Sequence, residues 1–435
     1  MPKEMHQEAV ELLLASISQQ DASGLRSSFL FGKPGAPLWE RRFGAEIFFH
    51  QSRIIRAALF VRRNGPAYLK YLPIGDISSA LRSFITENYG YIADEVFFTR
   101  FSTDYAQKVS AAAKSRLANA IASSPVFCPT NRISLFPLIP VRVAESFNSE
   151  PFFLVAPEYL DQTMSRDNID VRAIRADSFP PLSDWKGQRS LPNAWLGVRS
   201  PLLQVSRKMR AAILGALALA PLPGYRYLFS GRDMFGGNFV ISDEGSEVSF
   251  GLPHTPPLMH DIVIEATDHA WLGVIANKLT TNERVVRRQL RALEYFYRAW
   301  ELDPPERFPI LCMTLDAVFG DANHATQAVI DGVREMLGTH VRDARLRQLM
   351  DLRASVIHGG APDVYDSRKY ARYFDEYEAD PIHDLELVVA HCLRLQIFGD
   401  DFREQVDPNA EAIKEAQGKG YMPKVSLKNT ILDAV

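Results

Sequence analysis

The stretch Leu349-Met350-Asp351-Leu352-Arg353-Ala354-Ser355-Val356-Ile357-His358-Gly359-Gly360 closes a run of apolar residues at helical spacing. Leu346, Leu349, Met350, Val356 and Ile357 fall on one face of an α-helix. Arg353 occupies that same face, where the pattern asks for an apolar residue. A guanidinium aimed at a core or an interface is costly unless it is paired, so it has a specific task. The two glycines after His358 mark the helix stop. Arg353 and His358 are five residues apart, about 500° of helical rotation, which leaves the side chains about 140° apart around the axis. One helix does not easily bring both onto the same atom, whereas two copies of the helix crossing one another do.

Outward from this stretch, helical periodicity governs the chain from about residue 268 to residue 402. Helices are predicted over about 283–301, 307–319, 324–337, 341–358 and 382–398. Phe308, Leu311, Cys312, Leu315, Val318 and Phe319 form one apolar stripe, and Val329, Ile330, Val333, Met336 and Leu337 another. Stripes of this regularity belong to helices packed on one another. Towards the N-terminus the pattern is mixed. It predicts an opening helix over 1–20, strands at 46–50, 57–61, 133–143, 152–156, 225–229, 239–241 and 248–250, and helices over 103–123 and 203–220. Residues 163–200 read as a long irregular connection. The sequence therefore predicts an α+β N-terminal module over 1–270, an all-α helical bundle over 271–405, and a polar C-terminal tail over 406–435.

Bulk composition narrows the function classes. The chain has 435 residues and a net charge of −3, so any nucleic-acid contact must come from a local basic face. Cys128, Cys312 and Cys392 form no CxxC pair, and an odd count argues against a disulfide framework. Residues 1–10 carry Lys3, Glu4, His6 and Glu8 and lack the apolar core of a secretory leader. The most apolar run, Ala211–Leu222, is shorter than the ~20 residues that span a bilayer and reads as a buried helix. These features predict a cytoplasmic protein with no membrane partner.

The string from Leu349 to Gly360 resembles the Arg-x4–6-His signature of the HEPN superfamily, and is especially similar to the Apea-like HEPN branch. The preceding helix, Phe308 to Phe319 with Asp316, suits the same branch. The resemblance covers roughly 100–130 residues on the C-terminal side. It implies an HEPN-type bundle acting as a homodimeric, metal-independent endoribonuclease with no cofactor, in which Arg353 and His358 from both protomers line one composite cleft. It also implies an anti-phage defence or toxin role, with the N-terminal module sensing or recruiting a regulator. In active members the residue after the arginine is often polar, and here it is Ala354, with Ser355 next. Some members are non-catalytic modules for RNA binding or assembly, which is the alternative reading. The chemistry fits the residue types. A histidine near neutral pKa moves the proton when a 2′-hydroxyl attacks the adjacent phosphate, and an arginine holds the phosphate oxygens.

Other candidates are weaker. Arg284, Arg287, Arg288, Arg291 and Arg298, interleaved with Tyr295, Tyr297 and Trp300, suit an RNA-binding face to which Ser355 could add, and Arg342, Arg345 and Arg347 could extend it. A solvated arginine face is the plainer alternative. His254, His260 and His269 lie near Asp261, Glu265 and Asp268, but no HExxH pattern or cysteine pair accompanies them, and no metal site is expected. Gly32–Gly35 lacks a Walker ending, and Gly231–Gly237 reads as a hairpin loop. Asp375, Glu376, Glu378 and Asp380 read as a solvated acidic loop, or else as a contact for a regulator.

Overall fold

A computed structural model describes residues 3–18, 24–33, 40–98, 104–128, 132–165, 192–242, 245–281, 283–321, 324–338, 341, 343–357, 363–422 and 430–432. By packing, the chain divides into two compact units, Met1–Arg132 with Ser200–Val205, and Ile133–Arg199 with Ser206–Val435.

The first unit opens with α1 (Lys3–Leu14), which stops short of the expected residue 20 because the chain turns into β1 (Ile17–Ser18). β2 (Leu25–Phe31) and β3 (Phe43–Phe49) complete a three-stranded antiparallel sheet in the order β1-β3-β2. Residues 57–61, expected as a strand, lie instead in α2 (Gln51–Asn64). The buried residues Ile54, Ala57, Ala58 and Val61 show why: they recur at three and four residues, a period hidden inside a short apolar run. α3 (Ile74–Glu87), α4 (Ala93–Val96), α5 (Tyr105–Lys108) and α6 (Ala111–Ser123) follow, the last two within the helix expected over 103–123. Val10, Leu13, Ile54, Leu81 and Ile121 meet in one core.

The second unit carries a six-stranded sheet and the helical region. Its first strands are β4 (Arg132–Leu138), β5 (Val141–Val143), β6 (Phe147–Asn148) and β7 (Phe152–Val155). α7 (Leu160–Ser165), β8 (Ala194–Arg199) and α8 (Leu203–Leu217) come next, and then β9 (Gly236–Ser242), β10 (Gly245–Gly251) and β11 (Ile262–Ile264). The sheet order is β10-β9-β4-β8-β7-β6, and β11 pairs in parallel with β5. β8, inside the stretch expected to be irregular, pairs antiparallel with β4 from Ile133↔Arg199 to Leu138↔Ala194; residues 166–191 of that stretch lie outside the described residues. Period-two alternation divides the sheet into two apolar faces. Phe136, Leu138, Phe152, Leu154, Leu196 and Val198 join the large core, while Ile133, Leu135, Phe153, Val155 and Trp195 pack against α7. Residues 225–229 form a turn rather than a strand, since the Tyr225 and Arg226 amides donate back to Leu222, and only Phe229 bridges to Leu258.

Helices follow to the end of the chain: α9 (His269–Thr280), α10 (Arg284–Ala299), α11 (Pro304–Phe319), α12 (Ala325–Leu337), α13 (Asp343–Ile357), α14 (Arg368–Tyr377), α15 (Pro381–Leu393) and α16 (Ala410–Gly418). Five of these match the expected helices closely, whereas α9, α14 and α16 are additional. The character of the chain changes near residue 268 as expected, but the packing does not divide there. One apolar cluster runs from Phe136 and Leu196 of the sheet through α8, α10, α11 and α13 to Val388 of α15. α8 lies so close to α10 that a Cβ added at Gly215 would stand 2.1 Å from the Leu293 carbonyl oxygen, so only glycine fits.

Buried charge ties the sheet region to the bundle. Arg226, 1% exposed, donates to Glu386 of α15 at 3.2 Å and to Glu404 at 3.4 Å. Arg307 of α11 stands over the Tyr227 ring, and Arg394 pairs with Glu404. Asp384 of α15, 0% exposed, accepts from Arg345 of α13, from the Tyr373 hydroxyl at 2.6 Å, and from the Ile431 amide at 2.9 Å. The tail, expected to be polar, is anchored at Ile431, itself buried. Removing one member of a buried pair leaves its partner charged and unsatisfied, at a cost of about 3–5 kcal/mol. Asp384→Ala is therefore expected to lower stability to denaturant by about that amount; an unchanged unfolding midpoint would contradict the buried network.

Candidate functional site

Asp316 of α11 and Arg353 of α13 meet where the two helices pack. The Arg353 Nη2 donates to Asp316 Oδ2. The stripe on α13 explains why Arg353 points there. Leu346, Leu349, Met350 and Leu352 are buried in the core, and Arg353 continues their side of the helix towards α11. The pair sits at a rim rather than in the interior, with side chains 21% and 27% exposed. The other carboxylate oxygen, Asp316 Oδ1, is buried and has no hydrogen-bond partner among the described residues. Burial pushes the Asp316 carboxyl above its ordinary range, against the pull of the Arg353 guanidinium. Cys312, one turn earlier and fully buried, has its thiol pushed up by the same loss of water.

The C-terminal turn of α11 is also held by α10. Arg288 of α10 donates from Nε to the Ala317 carbonyl at 2.9 Å and from Nη2 to the Gly320 carbonyl at 2.7 Å. These are carbonyls of the kind a helix end leaves unsatisfied, and a cation there also complements the helix dipole. Two donors of Arg288, expected among the RNA-binding residues, are thus committed to the fold. Arg284, Arg287, Arg291 and Arg298 stay on the exposed face of α10. The Ser355 hydroxyl donates to the Leu352 carbonyl and lies 3.0 Å from the Ser367 hydroxyl, which caps α14, so it joins two helix ends. Arg345 serves Asp384, and Arg347 donates to Gln327. His358, Gly359, Gly360 and Arg342 lie outside the described residues, as does much of Gly32–Gly35.

The acidic group after His358, expected in a loop, is split between a helix end and the connection that follows it. Asp375 and Glu376 lie in the last turn of α14, Glu378 follows with φ of 51°, and Asp380 caps α15 through the Ile382 amide. Glu376 accepts from Gln348 at 2.7 Å, pairing α14 with α13. Sequence reasoning missed Arg207 and Lys208 of α8. Lys208 lies near enough to Glu294 of α10 to favour its ionised form, though burial dominates and pushes that carboxyl up.

The three histidines do not converge. His254 is buried between Arg210, whose guanidinium donates to Nδ1 at 2.9 Å, and the Gly237 carbonyl, which accepts from Nε2. His260 lies against Tyr225, and His269 reaches the Glu145 carbonyl at 3.3 Å. Among the described residues no group of three acidic, histidine or cysteine side chains is placed to hold a metal ion. Nor is any helix among them long and apolar enough to cross a membrane. No known protein family, no curated protein and no solved structure matches this chain.

Burial, and then the neighbouring Arg210, pull the His254 pKa down to about 3 from its ordinary 6.5. The unfolded imidazole takes up its proton first, so acid favours unfolding. The stability this group contributes is present above the unfolded pKa and is lost as pH falls from about 6.5 towards about 3. Denaturant midpoints across that interval should fall more steeply for the parent protein than for His254→Gln. Parallel slopes would show that His254 is not buried as a neutral ring.

Proposed function

We propose that the helical region is an HEPN-type bundle and that the protein is a metal-independent endoribonuclease. The observation that carries the reading is the partly exposed Arg353 guanidinium, fixed by Asp316 at the end of the helix that runs into His358. Arg353 would hold the non-bridging phosphate oxygens and stabilise the charge that builds on them. His358 would take the proton from the 2′-hydroxyl as it attacks the adjacent phosphorus. The P–O5′ bond breaks, a second imidazole protonates the leaving 5′-oxygen, and a 2′,3′-cyclic phosphate remains. Two imidazoles at one phosphodiester call for two copies of this chain, and a homodimer through the helical domain supplies them. Asp316 would act as a positioning residue, restricting the guanidinium to one orientation.

An RNA-binding or assembly module without catalysis is the second reading. The hydrogen bond from Arg353 Nη2 to Asp316, together with Ala354 in place of a polar residue, favours it. A defence or toxin role, and a regulator acting on the N-terminal module, follow from the resemblance alone.

Purified protein incubated with total RNA in EDTA distinguishes the two readings. The parent should cleave, and His358→Ala should lose on the order of 10²–10⁴-fold in rate, the usual weight of general acid–base catalysis. Arg353→Ala should lose roughly 10²–10³-fold, as when one charge-stabilising donor is removed. Equal inactivity of parent and variants would favour the non-catalytic module.

Because both partners are partly exposed, the ion pair adds little to stability. Asp316→Asn should shift the unfolding free energy by less than about 1 kcal/mol. It should also lower the turnover number more than it raises KM. A loss of several kcal/mol would make the pair a structural element instead.

A further inference from the structure

The exposed face of α10 carries Arg284, Arg287, Arg291, Tyr295 and Arg298, spaced by three, four, four and three residues. This spacing places them in one row along the helix, about 21 Å from end to end at 1.5 Å per residue. The row carries four arginines, and Glu294 lies near enough to both Arg291 and Arg298 for each to favour its ionised form. Arg284, Arg287 and Arg298 make no ion pair with any described residue, and the carboxylate paired with Arg291, Glu294, stands 3.9 Å away. Glu283 stands just before the helix, next to Arg284. The four arginines give this face a local positive charge although the whole chain carries a net charge of −3.

The row also offers flat surfaces. The Arg291 and Arg298 guanidinium groups lie 5.6 and 5.8 Å from the centre of the Tyr295 ring. Nucleobases stack on aromatic rings and on guanidinium planes alike. Arg207 and Lys208 of α8 add positive charge beside Glu294 and Arg210 of the same unit.

The row has a direction. Its Arg284–Arg287 end adjoins Arg288, which binds the Ala317 and Gly320 carbonyls of α11. Asp316, the residue before Ala317, holds Arg353. The arginine face therefore leads to the same helix turn that presents the candidate catalytic guanidinium.

We infer that this face of α10 is the track along which single-stranded RNA is held and delivered to Arg353. The inference rests on the ribonuclease reading for its destination, but not for its chemistry. Phosphates pair with the arginines, and bases stack at the Arg291–Tyr295–Arg298 cluster. A duplex is a poor fit, because the deep, narrow major groove of A-form RNA excludes side chains and hides the base faces.

The test is fluorescence anisotropy with a single-stranded, 2′-O-methylated RNA of roughly 12 nucleotides, a length within the usual site sizes, which cannot be cut at its blocked 2′ positions. Arg288 is left intact because it caps α11. The triple variant R284A/R287A/R291A should bind about tenfold or more weakly at low salt. Its slope of log affinity against log salt should be shallower by about 2, from three phosphate contacts at roughly 0.7 each. R284K/R287K/R291K should keep most of that slope, showing that charge, not folding, is lost in the alanine variant. The duplex of the same sequence should bind more weakly than the single strand.

Unchanged affinity and slope in R284A/R287A/R291A would overturn the track and leave the ribonuclease reading standing. So would a duplex bound as tightly as the single strand. The converse result, an RNA-binding parent with the expected salt slope that never cleaves unmodified RNA, would remove the ribonuclease and keep the track.

Discussion

The C-terminal turn of α11 is gripped by two arginines. Arg288 of α10 closes the Ala317 and Gly320 carbonyls, and Arg353 of α13 pairs with Asp316. Each grip answers a local electrostatic demand. A helix end presents unsatisfied carbonyls and partial negative charge, and Asp316 adds a full charge at the same place. Three helices are brought into register by this one turn. The result is that an arginine breaking an apolar stripe does not enter the core but emerges at its rim, with a carboxylate to aim it.

The rim position matters energetically. A more deeply buried ion pair in this molecule, Arg345 with Asp384, also engages the Tyr373 hydroxyl and the Ile431 amide, which is what makes burial of the Asp384 charge tolerable. Arg353 and Asp316 lack such a shell, and Asp316 Oδ1 has no partner among the described residues. Burial works against ionisation of Asp316 even with a guanidinium beside it. A rim pair whose second carboxylate oxygen is buried without a partner among the described residues is not explained by stability alone. Arg288 of α10 reaches the same turn, so the proposed binding face and the proposed catalytic arginine would share one scaffold.

Much of this was legible in the sequence because helices declare themselves by period. The stripes of α11, α12, α13 and α15 gave their positions, and Arg353 stood out as the break in one of them. What stayed hidden was set by tertiary contact. β8, Ala194-Trp-Leu-Gly-Val-Arg199, is buried on both faces and so shows no alternation. α14 is charged on all sides but one, and Tyr373 is its single fully buried side chain. Residues 57–61 form an apolar run too short to distinguish strand from helix. Arg288 read as one more surface arginine, because its capping role depends on carbonyls 29 and 32 residues further along the chain. The shared core of sheet and bundle was equally invisible, since composition changes near residue 268 while packing does not.

The central claim is that the Arg353 helix end presents RNA phosphate for attack by its own 2′-hydroxyl. Mass analysis of the products from a short RNA carrying one 2′-deoxy substitution tests this most directly. The account predicts 2′,3′-cyclic phosphate ends at every cut and no cut on the 3′ side of the deoxy nucleotide. Products ending in a plain 3′-hydroxyl with a 5′-phosphate, or cleavage at the deoxy position, would contradict it.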